Sequence, residues 1–199
     1  MLSAGPFKCV IVGAGDHARV LLDVIKGKGF EEFRDWEIAA LTDADTGRHG
    51  QSVLGIPVVG DDGELSRLKE GGVDHGLVGV GLAQGTERRA AVYRLLEDSG
   101  FHSPVLIHPS VLVASNVEVG PGTVILAGAI VGTGCRIGKN VIINIAAAVS
   151  HDCVLGDHAV VSDGAHITGG VTIGERALIG AAATILPYVT IGDNAIVAA

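Results

Sequence analysis

The sequence predicts two fold classes in one chain: a small α/β domain followed by a parallel β-helix. Three observations support this. Aliphatic residues recur every six positions in the second half, short apolar runs alternate with helix-like spacing in the first half, and a glycine turn follows the first run. A helix repeats near 3.6 residues and a strand near 2, so a sustained period of six indicates a solenoid.

The six-residue period is unbroken over residues 107–197. Four residues after each aliphatic residue comes a small or β-branched residue. The position directly after the aliphatic residue is often glycine, as expected where a chain turns sharply. Each unit then forms one short strand and a turn, and stability comes from stacking of units. The aliphatic positions are Ile107, Val113, Val119, Ile125, Val131, Ile137, Ile143, Val149, Leu155, Val161, Ile167, Ile173, Ile179, Ile185, Ile191 and Val197.

The first half alternates strands and helices at lengths typical of a small parallel α/β domain. The periodicity changes near residues 103–109, so we expect one domain over residues 1–104 and a second over residues 105–199. In order, the sequence predicts a strand at 7–12, a glycine turn at 13–20, a helix at 18–28, a strand at 37–41, an extended piece at 56–59, a helix at 61–70, a strand at 73–80, a loop at 81–85 and a helix at 86–99.

Composition and charge argue against several classes of function. The net charge of −8 disfavours nucleic acid or an anionic membrane as a partner. No apolar run reaches about eighteen residues, so no membrane span is expected, and the N-terminus does not resemble a signal peptide. Cys9, Cys135 and Cys153 form no framework of pairs. We expect reduced core thiols, with Cys135 and Cys153 stacked one coil apart.

The turn after the first strand fits the dinucleotide-binding pattern G-x-G-x-x-G/A. Gly13 and Gly15 allow the backbone to approach an anion, the following helix N-terminus attracts phosphate, and His17 lies in the first helical turn. Asp43 ends the second strand, where an acidic residue conventionally meets a ribose hydroxyl. About three strands favour a mononucleotide-type ligand over NAD. A glycine turn of purely structural origin is the alternative.

One polar cluster in the β-helix is not explained by the repeat. His151 and Asp152 follow Val149 at positions outside both inward slots, so they are expected to face outward. From spacing alone they are either solvated turn residues or an imidazole–carboxylate pair suited to proton transfer. No set of Cys and His residues has metal-ligand spacing, so no metal is expected.

The combination of these features resembles a known family. A G-x-G-x-H-x-x-V opening, from Gly13 to Val20, in an α/β domain joined to a six-residue-period β-helix resembles the bacterial sugar-nucleotide N-acetyltransferases of the bacillosamine and perosamine type, and the sialic acid O-acetyltransferase-like proteins. The resemblance covers essentially the whole chain. It implies a Rossmann-like N-terminal domain that binds the nucleotide sugar, a left-handed β-helix of hexapeptide repeats that binds acetyl-CoA, and a cytoplasmic homotrimer.

The resemblance also implies roles for individual residues. His151 matches the family's catalytic base, Asp152 the residue that orients it, and Asn144 an asparagine near the acceptor. Gly169 and Ala181 match positions whose backbone contacts the cofactor. The nucleotide sugar is expected to bind at Gly13, Gly15, His17 and Asp43.

The chain departs from the family pattern at four positions. Ser150 stands where the family often has Glu, and Val160 where some members have a second histidine. Asp16 replaces a third glycine of the turn, and Thr42 replaces the first of two acids after the second strand. These departures do not change the fold prediction, but they bear on which sugar the protein accepts.

The predicted function is acetyl transfer from acetyl-CoA to the amine of a UDP- or GDP-linked amino sugar, for bacterial surface glycan synthesis. Two alternatives stay open: O-acetylation of a sialic acid type sugar, and a non-catalytic nucleotide-binding sensor whose β-helix trimerises. The last repeat ends at Val197 without a polar cap, so we expect either further chain after Ala199 or a cover supplied by a neighbouring subunit or by acetyl-CoA.

Overall fold

The computed structural model describes residues 7–27, 33–82 and 85–199. The chain divides into two compact units between Pro104 and Val105. The predicted end of the first helix at Lys28 and the middle of the predicted loop at 81–85 lie outside the described residues. Among the helices that are described, none combines the length and the hydropathy needed to cross a membrane.

The N-terminal unit is a three-stranded parallel sheet with helical connections, which confirms the α/β prediction. Its elements are β1 (Phe7–Val12), α1 (Asp16–Lys26), β2 (Trp36–Thr42), β3 (Ser52–Val53), β4 (Ile56–Pro57), α2 (Leu65–Glu70), β5 (His75–Val78) and α3 (Gly85–Asp98), with short 3₁₀ turns at Thr46–Arg48 and Asp62–Glu64. The sheet order is β2-β1-β5. Parallel neighbours require crossover connections, and α1 and α2 lie in them. Strands β3 and β4 form an antiparallel hairpin, of which the sequence predicted only the extended piece at 56–59.

The carboxyl ends of the three parallel strands hold the glycine turn in place. Gly13 N–H donates to Thr42 O at 2.8 Å, and Gly79 N–H donates to Val12 O at 2.7 Å. Val10 and Val12 pack in one buried cluster with residues of α2 and α3. The turn therefore sits on a packed sheet, at the edge where α/β proteins bind ligands.

The C-terminal unit is a β-helix of two-residue strands that form three parallel sheets, here called the first, second and third faces. The first face contains β6 (Leu106–Ile107), β9 (Val124–Ile125), β12 (Ile142–Ile143), β15 (Val160–Val161), β18 (Leu178–Ile179) and β21 (Ile196–Val197). The second contains β7 (Leu112–Val113), β10 (Ile130–Val131), β13 (Ala148–Val149), β16 (His166–Ile167) and β19 (Thr184–Ile185). The third contains β8 (Glu118–Val119), β11 (Arg136–Ile137), β14 (Val154–Leu155), β17 (Thr172–Ile173) and β20 (Thr190–Ile191).

Each strand pairs with the strand eighteen residues later, as Ile130 with Ala148 and Ala148 with His166. The predicted aliphatic residue is the second, inward residue of every strand, and the small residues fill the corners of one continuous core. Cys135 and Cys153 are free thiols in that core, and burial raises the pKa of both. This solenoid of about five coils matches a left-handed β-helix of hexapeptide repeats, which confirms the fold prediction.

The explanation given for the glycine after each aliphatic residue was wrong. Positive φ angles fall two positions later, as at Gly134 and Asp152. Glycine occupies the earlier position because the next coil approaches too closely for a side chain. A Cβ on Gly120 would lie 2.6 Å from the backbone of Gly138. At Gly192, in the last coil, a Cβ would meet nothing within 4 Å.

Candidate active site

The turns that follow the second-face strands form one corner of the β-helix, here called the second corner, and it carries His151 and Asp152. His151 Nδ1 lies 2.8 Å from Asp152 Oδ2, and the two side chains are 54% and 69% exposed. They therefore face outward, as the six-residue register predicts. Asp152 adopts a left-handed backbone conformation with φ of 58°. The hydrogen bond at Nδ1 leaves Nε2 as the ring nitrogen that is available for chemistry.

Two glycines make room for this pair. A Cβ on Gly169, one coil beyond His151, would lie 2.5 Å from His151 Nε2 and 2.6 Å from Cε1. A Cβ on Gly134, one coil before Asp152, would lie within van der Waals overlap of Asp152 Oδ1. The imidazole thus rests on the backbone of one neighbouring coil, and the carboxylate rests on the other. The sequence predicted Gly169 but missed Gly134, although the eighteen-residue spacing from Asp152 was a usable signal.

Backbone hydrogen bonds between coils fix the position of the His151–Asp152 pair along the axis of the β-helix. Asp152 N–H donates to Thr133 O at 2.8 Å, and Gly170 N–H donates to His151 O at 2.9 Å. Tyr188 N–H donates to Gly169 O at 3.0 Å one coil further on. Because the pair is carried by short strands and paired turns, its position is set by the solenoid and not by a free loop.

Asn144 and Ala181 lie elsewhere in the β-helix. Both are in turns that follow first-face strands, here called the first corner, and they flank the opposite edge of the second face from His151. Asn144 is half-buried and Ala181 is exposed. Within one chain the structure therefore brings His151, Asp152 and Gly169 together, and separates them from Asn144 and Ala181.

Two positions where the chain departs from the family pattern concern this site. Ser150 is exposed and immediately precedes His151. Val160, where some members of the family have a histidine, is fully buried on the first face. His158 does not substitute for it, because it is buried and its Nδ1 lies 2.9 Å from Asn140 Nδ2.

In the N-terminal unit, the two glycines of the turn have different functions. Gly13 has φ of +101°, and a Cβ there would lie 2.9 Å from Gly79 C and from Val80 N. Gly13 is therefore required for close packing against the end of β5. Gly15 adopts an extended conformation, and a Cβ there would meet nothing within 4 Å. Gly15 is the glycine that borders open space at the N-terminus of α1.

Asp43 braces this turn. Its Oδ2 accepts a hydrogen bond from Ala14 N–H at 2.7 Å, and its Oδ1 accepts from Asp45 N–H at 2.9 Å. Asp43 thus stabilises the glycine turn in addition to any ribose contact, a function that the sequence did not predict. A ribose hydroxyl would have to donate to the same two carboxylate oxygens, each of which has a second lone pair that can accept a hydrogen bond.

Beside the turn lies a cavity of about 350 Å³, lined in part by Ala14, Gly15, Arg19 and Arg48. Arg48 Nη1 donates to Ala14 O at 2.9 Å, and its Nε lies 3.6 Å from Asp45 Oδ2. Two guanidinium groups and a helix N-terminus are groups that bind phosphate, although the carboxylate of Asp16 also lines this cavity. Sequence reasoning missed Arg48, since it comes from a loop without a recognisable motif.

His17 is held neutral. Burial, together with the nearby Arg89 cation, lowers the pKa of His17 to about 3. Its Nε2 is buried and has no hydrogen-bond partner among the described residues. Burial also lowers the pKa of Arg89, to about 9, so that side chain still carries its charge at neutral pH. At neutral pH His17 is therefore an uncharged imidazole and not a cation.

A six-residue-period β-helix with an exposed His–Asp pair on one corner defines the class of hexapeptide-repeat transferases. Within the described residues, no group of three or more His, Cys, Asp or Glu side chains is arranged to hold a metal ion. Family models agree with this class: residues 8–94 match the PglD N-terminal domain, and residues 170–199 match the bacterial transferase hexapeptide model of six repeats.

Solved structures extend the match to the whole chain. PerB from Caulobacter crescentus, in complex with CoA and GDP-perosamine, is 37% identical, with a TM-score of 0.87 over 99% of this chain and 87% of that chain. The acetyltransferase domain of PglB from Neisseria gonorrhoeae FA1090, in complex with acetyl coenzyme A, is 32% identical, with a TM-score of 0.85 over 98% and 89%. WeeI from Acinetobacter baumannii AYE shares the fold at 22% identity, with a TM-score of 0.74 over 95% and 90%. The search of curated proteins gives no match.

This chain belongs to the hexapeptide-repeat sugar-nucleotide acetyltransferases, the family that includes perosamine N-acetyltransferase and the PglB acetyltransferase domain. The family resemblance seen in the sequence is confirmed.

Proposed function

We propose that the protein transfers the acetyl group of acetyl-CoA to the amine of a nucleotide-linked amino sugar. The observation that carries the proposal is the exposed His151–Asp152 pair, with Nε2 directed over Gly169. Support comes from PerB, which is similar over nearly the whole chain and was solved with CoA and GDP-perosamine. A soluble enzyme using acetyl-CoA would work in the cytoplasm, where the three free thiols would also stay reduced.

In the proposed reaction His151 is the general base. The sugar amine attacks the thioester carbonyl carbon, and His151 Nε2 accepts the proton that the nitrogen loses as the C–N bond forms. The C–S bond then breaks, and the leaving sulfur takes a proton from the imidazolium, which gives an amide and CoA. Asp152 accepts a hydrogen bond from Nδ1–H, so it holds the tautomer with a free Nε2 and stabilises the charged ring.

The glycine turn is the proposed site for the nucleotide diphosphate. Gly15 leaves the N-terminus of α1 open, and Arg19 and Arg48 line the cavity beside it. Phosphate oxygens bind well to a helix N-terminus and to guanidinium groups. Asp43 directly follows β2, and we assign its carboxylate to a ribose hydroxyl because an acidic residue conventionally has that function at this position. His17 contributes its neutral imidazole.

We further propose that the active enzyme is a homotrimer. In one chain His151 and the pair Asn144 and Ala181 lie on different corners, so a complete site would combine corners of two subunits. Leu112 and Ile130 on the second face are 67% and 47% exposed, which provides apolar surface for such packing. Light scattering coupled to size exclusion would measure the mass, and a monomer would contradict this assembly.

The test of function is acetyl transfer from acetyl-CoA to a panel of UDP-, GDP- and TDP-linked amino sugars, with the product identified by mass and NMR. We expect an amide product. His151→Ala should lower kcat by about 10³-fold, the usual range for losing a general base. Asp152→Asn should cost less, about 10- to 100-fold, because the carboxylate is exposed to solvent.

Other outcomes would redirect the proposal. An ester product would mean O-acetylation by the same site. Turnover by His151→Ala close to that of the unmodified protein would exclude the base assignment. Thermal stabilisation by NAD without any stabilisation by CoA, together with no transfer, would favour the nucleotide-binding sensor.

A further inference from the structure

Tyr188 is an unusually exposed aromatic residue on the corner that carries His151. Its side chain is 78% exposed, and its backbone has φ of 61°. A Cβ on Gly170 would lie 2.5 Å from Tyr188 Cδ1 and 2.7 Å from Cε1. One side of the ring therefore rests on the Gly170 backbone, and the rest of the ring faces outward.

His151 and Tyr188 rest on two adjacent glycines of the same turn. The imidazole rests on Gly169 from the coil before, and the phenol ring rests on Gly170 from the coil after. Adjacent Cα atoms are about 3.8 Å apart, so the two side chains rest on neighbouring positions of one turn. Both keep exposed surface, 54% for the His151 side chain and 78% for Tyr188, so a narrow ligand can contact the two together.

Polar side chains occupy this corner in the two coils before His151, where Thr133 Oγ1 donates to Asn116 Oδ1 at 2.7 Å. The exposed apolar surface of the corner lies on the Tyr188 side of His151. Leu186 and Val189, which flank Tyr188 in sequence, are also exposed and make that side apolar.

We propose that Tyr188 is a positioning residue for the acyl donor: its ring contacts the thioester end of the pantetheine arm of acetyl-CoA and directs the carbonyl toward His151. This inference rests on the proposed function. An aromatic ring beside an extended aliphatic and amide chain provides a large contact area with little loss of side-chain entropy. Gly170 is the residue that allows the ring to take this position.

The test compares Michaelis constants for the two substrates. Tyr188→Ala should raise KM for acetyl-CoA by about five- to tenfold, in line with the loss of one aromatic contact, and leave KM for the amino sugar unchanged. Tyr188→Phe should retain the KM of the unmodified protein, because the ring and not the hydroxyl makes the contact. Folding should be preserved, since Ala146 and Ala182 already adopt the same backbone region at φ of 56° and 57°.

A matched pair of glycine variants tests the effect of displacing the Tyr188 ring while Tyr188 itself is kept. Gly170→Ala and Gly128→Ala both place Ala at φ of +70°, but a Cβ on Gly128 approaches nothing closer than 3.9 Å. Gly170→Ala should reproduce the rise in KM for acetyl-CoA, and Gly128→Ala should not. Ile196→Ala, which removes a side chain that is 75% exposed on the first face, controls for loss of exposed apolar surface.

The outcomes separate this inference from the proposed function. If the unmodified protein transfers acetyl groups in a His151-dependent manner and Tyr188→Ala keeps KM for acetyl-CoA within twofold, the positioning role is refuted and the function stands. An equal rise in KM for the amino sugar would also refute it. If the unmodified protein transfers no acetyl group to any sugar, the proposed function itself fails.

Discussion

Replacing Gly169 by Ala perturbs the His151–Asp152 pair without changing either of its two residues. The added Cβ would lie 2.5 Å from His151 Nε2, whereas carbon and nitrogen atoms in ordinary contact are about 3.5 Å apart. Gly169 does not have a positive φ, so Ala introduces no backbone strain there. The exposed imidazole is the part that must move, and we expect it to move by about 1 Å.

The expected cost is a loss of about 10²-fold in kcat/KM, since a displacement of about 1 Å at a reacting group has an effect of that order. This corresponds to about 2.7 kcal/mol of transition-state stabilisation. Stability should change little, because a side chain that is 54% exposed can rotate away without disturbing the core.

The assay is release of the CoA thiol, followed with a thiol-reactive chromophore, at saturating and at limiting acetyl-CoA. The matched control is Gly192→Ala, in the same β-helix, where a Cβ would meet nothing within 4 Å. A shift of the His151 ring resonances in a proton–carbon NMR spectrum would report the displacement directly. Activity of Gly169→Ala within threefold of Gly192→Ala, with an altered His151 resonance, would refute the reasoning that links ring position to catalysis.

Two further predictions concern the N-terminal unit, and Trp36 in β2, the single tryptophan, is the probe for both. Gly13→Ala should destabilise this unit by about 2–6 kcal/mol, because it combines a positive φ with backbone overlap, whereas Gly15→Ala should cost less than about 1 kcal/mol. Denaturant unfolding followed by Trp36 fluorescence gives both values, and equal costs would contradict the different functions assigned to the two glycines. The second prediction concerns pH. The unfolded chain takes up a proton at His17 below about pH 6.5 that the folded chain, with a pKa of about 3, does not. Stability should therefore fall as pH decreases from about 6.5 toward 3, and His17→Gln should flatten that fall in Tm; the same pH slope in both proteins would show that His17 stays solvated.

The β-helix could be predicted from the sequence because a single number, the six-residue period, determines which residues face inward. The same period placed His151 outward and Gly169 one coil beyond it. It could not show that the imidazole rests on Gly169, since that contact depends on side-chain rotamers and on the rise between coils. It also led to the wrong reason for the glycines after each aliphatic residue, where the approach of the next coil matters and not the turn.

The N-terminal unit was predicted less completely because its contacts are long-range. Strands and helices follow from local apolar spacing, but Arg48 reaches the carbonyl of Ala14 across thirty-four positions. The sequence likewise assigned Asp43 to a ribose, but it did not predict the hydrogen bond that Asp43 accepts from the backbone of the turn. The lowered pKa of His17 depends on its burial and on the charge of Arg89 in α3, and neither has a signature in the local motif.

The eighteen-residue register between stacked strands constrains how the length of this chain can change. Removing six residues between Gly134 and His151 would transfer the imidazole, together with Gly169 and Tyr188, to a different corner from Gly134. Removing eighteen residues would return it to the same corner, one coil lower. Only insertions and deletions of whole coils therefore keep the direction of the His151 side chain relative to the coils on both sides of the change, because that direction repeats every eighteen residues.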